Sequence, residues 1–154
     1  MKKLNITILL AALACMPVAS NVIAQDKTAT QSAASARPEV ASTVRAWRGE
    51  GGVQVWTLRY GPRESNKALV QITNIDHPWE QRIQVMDVQK NDKRKSYSVM
   101  VNGERFVVLN MFDVDSGELY LPNEKQAYRI SYSESLSSQG NAQYFLTDYL
   151  NQKK

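Results

Sequence analysis

"SYSVMVNGERFVVLNMF", residues 96–112, is the stretch that decides the fold class. Its Asn102-Gly103 pair separates two runs rich in β-branched and aromatic residues. Such a pair readily takes the positive φ angles that a two-residue type I′ turn requires, so the stretch predicts a β-hairpin. The second arm, residues 106–112, is apolar on both faces. This pattern predicts a strand covered on both sides, either central in a sandwich or barrel or beneath a helix.

Further strands are predicted on both sides of this hairpin. "GVQVWTLRY", residues 52–60, has the alternation of a strand and ends at the turn residues Gly61 and Pro62. "KALVQITNI", residues 67–75, is β-branched, and we expect it to pair with residues 52–60 through the polar loop between them. Strands are also predicted over residues 79–90, 119–121 and 127–134.

The C-terminal stretch "NAQYFLTDYLNQKK", residues 141–154, admits two structures. Apolar residues recur from Ala142 at the i, i+3, i+4, i+7 and i+8 spacing of an amphipathic helix, and Asn141 suits its N-cap, so we favour a helix. The same residues could instead form the return arm of a hairpin turning at residues 139–141. Together the segments predict a mainly β fold, a small antiparallel β-sandwich or barrel, with one C-terminal helix if the first interpretation holds.

The N-terminus predicts export from a bacterial cell. Lys2 and Lys3 precede a mostly apolar run, residues 4–15, that is shorter than the roughly 20 residues a membrane-spanning helix needs. Small residues follow, and the sequence before Gln25 suits signal peptidase, so residues 1–24 are predicted to be a signal peptide cleaved after Ala24. The alternative is a lipoprotein anchored through Cys15, which the preceding residues 12–14 fit poorly. The expected location is the periplasm or the outside of the cell.

The remaining chain divides into a leader and one domain. Residues 25–43 are rich in Ala, Ser and Thr, contain no aromatic residue and are predicted to be a flexible polar leader. All three Trp, seven Tyr and three Phe lie within residues 47–149, which predicts a single β-rich domain over residues 44–154. Cleavage of the signal would remove two of the 19 basic residues, leaving 17 against 15 acidic ones. This balance gives no case for nucleic acid, and the mature chain has no candidate transmembrane segment.

Most catalytic and metal chemistries lack the residues they need. The chain has one histidine, and its single cysteine, Cys15, would leave with the signal, so zinc, thiolate and disulfide chemistry are not expected. "DVDSGE", residues 113–118, resembles the start of a calcium loop but lacks its later ligands, and is interpreted as a turn. "RGEGGV", residues 48–53, lacks the features of a phosphate-binding loop. We predict no cofactor, no metal site and no catalytic residue.

The only histidine lies in "NIDHPWEQR", residues 74–82. Pro78 keeps His77 out of helical geometry, so the histidine is expected in a short connection between strands rather than in a catalytic corner. Trp79 beside this prolyl-fixed turn makes His77 and Trp79 candidates for recognition of a partner.

Other candidate binding residues carry positive charge or a large aromatic ring. "KNDKRKSY", residues 90–97, contains one acid among four cations, Lys90, Lys93, Arg94 and Lys95, which would steer an anionic partner over roughly 8–10 Å. Trp47, flanked by two arginines, is of the type found at binding hot spots.

The resulting functional hypothesis is an exported, non-enzymatic β-domain. It would bind an envelope or secreted protein, a hydrolase that it inhibits, or an anionic surface polymer. The alternatives are a small carboxylate-based envelope enzyme, with or without His77, and a structural surface component that assembles through edge strands.

Overall fold

A computed structural model describes residues 36–153. They form a closed, eight-stranded antiparallel barrel in which each strand pairs with the next along the chain and β8 returns to pair with β1. The strands are β1 (Arg45–Gly49), β2 (Gln54–Tyr60), β3 (Lys67–Thr73), β4 (Ile83–Lys90), β5 (Lys95–Val101), β6 (Glu104–Met111), β7 (Ser116–Leu119) and β8 (Tyr128–Tyr132); two helices follow, α1 (Glu134–Ser137) and α2 (Ala142–Gln152). The predicted class, a small antiparallel sandwich or barrel with a C-terminal helix, is confirmed.

The hairpin at Asn102-Gly103 is also confirmed. Asn102 (φ 52°) and Gly103 (φ 84°) both have positive φ angles and join β5 to β6. β2 and β3 pair in full register through the 61–66 loop, as expected from their alternation. Local turn chemistry therefore explains the β2–β3 and β5–β6 hairpins, the two that the sequence predicted most directly.

The barrel interior is a packed apolar core rather than a channel. Alternate residues of the strands point inward, as the period of two requires. The fully buried inward side chains include Val53, Val55, Leu109, Leu119 and Ile130.

Helix α2 covers part of the outer wall. Its apolar stripe, which includes Phe145 and Leu146, packs against Leu58 and Leu69 on the outside of β2 and β3. The Asn141 side chain caps the helix by accepting hydrogen bonds from the N–H groups of residues 143 and 144, both at 3.0 Å. The helix interpretation is therefore confirmed, and the C-terminal stretch is not the return arm of a hairpin.

Several sequence predictions fail at strand boundaries. β1 was not predicted, because "RAWRG" shows no alternation of apolar and polar residues. Ala46 is buried beneath α1 on the outer face of the barrel, and its neighbour Trp47 is buried in the interior, so both faces of the strand carry an apolar residue. The strand predicted over 79–90 begins only at Ile83, because the backbone turns through a positive φ angle at Gln81. The strand predicted over 119–121 ends at Leu119.

The prediction that residues 106–112 are covered on both sides is wrong. The pairing shifts so that Tyr97 faces Leu109 while Ser98 faces Val107, which leaves Val108 as a bulged residue. The bulge turns Val108 and Leu109 inward together. The outer face is open, since Val107 is 40% and Phe112 is 41% exposed.

Residues 36–43, the last part of the predicted leader, contact the barrel and α2. The N–H of Ala41 donates to the carbonyl of Arg59 at 3.2 Å, and the Arg37 guanidinium donates to the carbonyl of Gln143 at 2.8 Å. The predicted signal peptide, Cys15 and residues 25–35 lie outside the described residues. Across residues 36–153, no helix has the length and apolar character needed to cross a membrane.

Candidate functional site

Alternation of strand direction brings every second loop of the barrel to the same end. The loops over residues 61–66, 91–94 and 112–115, together with the start of β1, therefore lie at one end, which we call the mouth. The loops over residues 50–53, 74–82, 102–103 and 120–127 lie at the opposite end. Segments far apart in sequence are therefore placed at the mouth together.

A concave cavity of about 480 Å³ opens at the mouth. This volume is within the usual range for small-molecule sites. Five cations and two acids contribute to its lining: Arg45, Lys90, Lys93, Arg94 and Lys95, with Asp92 and Asp113. We call this the mouth cavity; its lining carries a formal charge of +3, five cations less two acids.

The cationic loop of the mouth is held in shape by its own asparagine. The Asn91 carboxamide oxygen accepts hydrogen bonds from the N–H groups of Lys93 and Arg94, at 3.0 and 2.8 Å. The Asn91 N–H donates to the Arg94 carbonyl at 3.0 Å and closes the turn. The cationic side chains are thus carried on an ordered hairpin loop.

Arg45 is fixed on the inner side of the mouth by two aromatic rings. Its guanidinium carbon lies 5.4 Å from the ring centre of Trp47 and 4.9 Å from that of Tyr132, distances at which a cation is attracted to the ring face. One guanidinium nitrogen donates to the Val114 carbonyl at 2.8 Å. Arg45 therefore joins β1 to the 112–115 loop across the closure of the barrel.

None of the five cations of the mouth cavity forms an ion pair with a carboxylate of residues 36–153. The Asp113 carboxylate is used in its own turn, where it accepts hydrogen bonds from the Ser116 hydroxyl at 2.8 Å and from the N–H groups of Asp115 and Ser116 at 2.8 and 2.6 Å. These bonds hold the pKa of Asp113 below its usual value of 3.8. Residues 113–115 thus lie in the turn that the sequence indicated, while residues 116–118 begin β7.

Apolar side chains form the rest of the mouth cavity. Trp47, Tyr97 and Met111 are buried in its lining, while Phe112 and Val114 are 41% and 66% exposed at its rim. The Trp47 indole N–H is buried and has no hydrogen-bond acceptor among residues 36–153. Cationic and apolar groups therefore share one concavity.

The histidine loop lies at the opposite end and is tied to the backbone. The His77 Nδ1 accepts from the N–H of Trp79 at 3.1 Å, and Nε2 donates to the Pro122 carbonyl at 3.2 Å. The Glu80 carboxylate accepts from the N–H groups of Asn74 and Ile75 at 3.1 and 2.9 Å. The side chains of His77 and Glu80 are thus both bonded to backbone groups.

The structure divides the seven predicted binding residues between the two ends. Trp47 and the four cations of residues 90–95 meet at the mouth, whereas His77 and Trp79 pack together at the other end, with ring centres 5.5 Å apart. Sequence reasoning missed Arg45, although its position two residues before Trp47 places both on one face of a strand. It also missed the 112–114 rim, which only barrel closure brings beside Arg45.

No cluster of three or more His, Cys, Asp or Glu side chains suited to a metal ion occurs within the part of the chain that the structure describes. Comparison with protein-family models, curated proteins and solved structures finds no match to this chain.

Proposed function

We propose that this chain is an exported, non-enzymatic barrel that binds an anionic partner of the bacterial cell envelope at its mouth. The observation that carries the proposal is the group of five cations around one concavity, unpaired with any described carboxylate. Like charges held this close repel one another, and a bound anion would relieve that repulsion. The predicted signal peptide supports the location.

Two further observations favour binding at the mouth over the alternatives. Two of the groups that an enzyme in the 74–82 loop could use, His77 and Glu80, are occupied by backbone partners. Assembly through edge strands needs unpaired backbone groups, whereas barrel closure gives each of the eight strands a partner on both sides, although the tip of the β5–β6 hairpin pairs only with itself. Neither alternative has a comparable positive feature in residues 36–153.

Retention on immobilised polyphosphate tests the proposal. The protein would be expressed with its own signal sequence, purified after export, and eluted from the resin with salt. The mouth variant Lys93→Gln/Arg94→Gln/Lys95→Gln should elute at clearly lower salt than the wild type, because it loses three of the five mouth cations.

A matched control variant distinguishes binding at the mouth from an effect of the protein's net charge. The variant Arg82→Gln/Lys125→Gln/Arg129→Gln removes the same number of positive charges from exposed positions outside the mouth cavity. It should elute close to the wild type. Equal shifts for the two triple variants would mean that net charge alone governs retention, and the proposal would fail.

A further inference from the structure

We propose that the mouth cavity holds one molecule of an anionic amphiphile, a phosphate or carboxylate group carried on an alkyl chain. This inference rests on the proposed function and specifies the chemistry of its anionic partner. The acid group would lie between Arg45 and Lys95, and the chain would follow the apolar lining to the rim at Val114.

The cations are positioned to receive an acid group. The Arg45 guanidinium is held by two aromatic rings and the Val114 carbonyl, so little side-chain freedom remains to be lost when it binds an oxyanion. The Lys95 ammonium lies 4.8 Å from the ring centre of Tyr97, which places it against the cavity wall. Of the two nearby acids, Asp113 is already bonded within its own turn and forms no ion pair with these cations.

The rim argues for an apolar portion in the same ligand. Phe112 and Val114 belong to the few large apolar side chains that are strongly exposed, and both lie on the loop that borders the cations. A polymer that offered only charge would leave these side chains in water. An alkyl chain laid over them would remove apolar surface from water at about 25 cal/mol per Å².

The size and shape of the site favour a small molecule over a folded partner. A stable protein interface needs about 800 Å² of complementary surface on each side. Here the cations surround a concavity of about 480 Å³, which suits a ligand that enters it. We therefore commit to an individually bound amphiphile rather than to a protein or to a bilayer surface.

Isothermal titration calorimetry of the exported protein tests the inference with dodecyl phosphate below its micelle concentration. We expect saturable one-to-one binding. Inorganic phosphate, which has the charge without the chain, and dodecyl maltoside, which has the chain without the charge, should each bind at least tenfold more weakly, because each omits half of the contacts.

Two variants test which part of the cavity binds the acid group of the ligand and which part binds its alkyl chain. Lys90→Gln/Lys95→Gln should weaken dodecyl phosphate about tenfold or more, since a hydrogen bond to a charged group is commonly worth a factor of that size. Val114→Ser should weaken it about threefold and leave inorganic phosphate unaffected. Their controls are Lys125→Gln, at the opposite end, and Met100→Ser, since Met100 is 61% exposed but does not line the mouth cavity. Both controls should bind as the wild type does.

The results that would overturn the amphiphile proposal differ from those that would overturn the proposed anion-binding function. Equal affinity for dodecyl phosphate and inorganic phosphate, equal affinity for the two dodecyl compounds, or binding only to phosphatidylglycerol vesicles would each overturn the amphiphile. If polyphosphate retention still depends on the mouth cations in any of these cases, the anion-binding function stands. Loss of both readouts would overturn the two proposals together.

Discussion

Replacement of Glu80 by Ala tests whether the only histidine-bearing loop has a structural role. The Glu80 carboxylate spans two consecutive backbone N–H groups, those of Asn74 and Ile75, at 3.1 and 2.9 Å. Asn74 has a positive φ angle of 63°, so the backbone turns sharply where the carboxylate holds it. Removal of the carboxylate should therefore loosen the connection between β3 and β4.

The expected cost follows from these two bonds. A hydrogen bond to a charged group contributes roughly 1.5–3 kcal/mol when it is shielded from water. Asn74 is exposed and Glu80 is only half-buried, so water replaces part of the loss. We expect Glu80→Ala to lower the free energy of unfolding by about 1–2 kcal/mol, and Glu80→Gln, which keeps one acceptor oxygen, by about half as much. For a domain of this size the Ala variant should melt about 4–8 °C lower.

Thermal and urea unfolding followed by far-ultraviolet circular dichroism measure this effect. The control is Glu64→Ala, because the Glu64 carboxylate is exposed and makes no hydrogen bond with residues 36–153. Polyphosphate retention should be unchanged in Glu80→Ala, since residue 80 lies at the end opposite the mouth. A Glu80→Ala protein as stable as the control would refute the structural role and would restore the 74–82 loop as a candidate for chemistry.

Three further predictions concern the mouth and the N-terminus. Trp47→Phe should change the free energy of unfolding by less than about 1 kcal/mol, because the loss of buried ring area is offset by removal of a buried N–H that has no acceptor. Urea unfolding measures this change. A loss of about 3 kcal/mol would show that the indole N–H has a hydrogen-bond acceptor in the folded protein. The pKa of Asp113 is lowered below 3.8, so its stabilising contribution is fully present above that value and is lost as the pH falls through the folded-state pKa. Asp113→Asn should therefore be less stable than the wild type at neutral pH, and urea unfolding should show the difference shrinking below pH 3.8. Intact-mass spectrometry of the exported protein should find Gln25 at its N-terminus; a lipid-modified Cys15 would instead support the lipoprotein alternative.

Local chemistry explains which parts of the fold could be predicted. The β5–β6 hairpin followed from Asn102-Gly103, and α2 followed from its apolar spacing and the cap at Asn141, because each depends on neighbours in sequence. β1 could not be recognised, because Ala46 is covered by α1 and Trp47 by the barrel core, two contacts made with distant segments. The bulge at Val108 escaped prediction for the same reason, since it depends on the register between two strands.

The candidate site was predictable in part, and barrel closure accounts for the remainder. The cluster over residues 90–95 is visible in the sequence as a run of charge, whereas its relation to Arg45 is not. In an antiparallel meander of even strand number, the first strand starts at the same end at which the last one finishes, and closure then sets the two side by side. Arg45 at the start of β1 consequently meets Tyr132 at the end of β8 and the 112–115 loop, and faces the 91–94 loop across one cavity. His77 lies on a loop at the opposite end of the barrel, so no change of side-chain conformation could bring it to the same site. The end of the barrel at which each loop lies, more than any single sequence motif, thus decides which of the charged and aromatic residues can contribute to the same site.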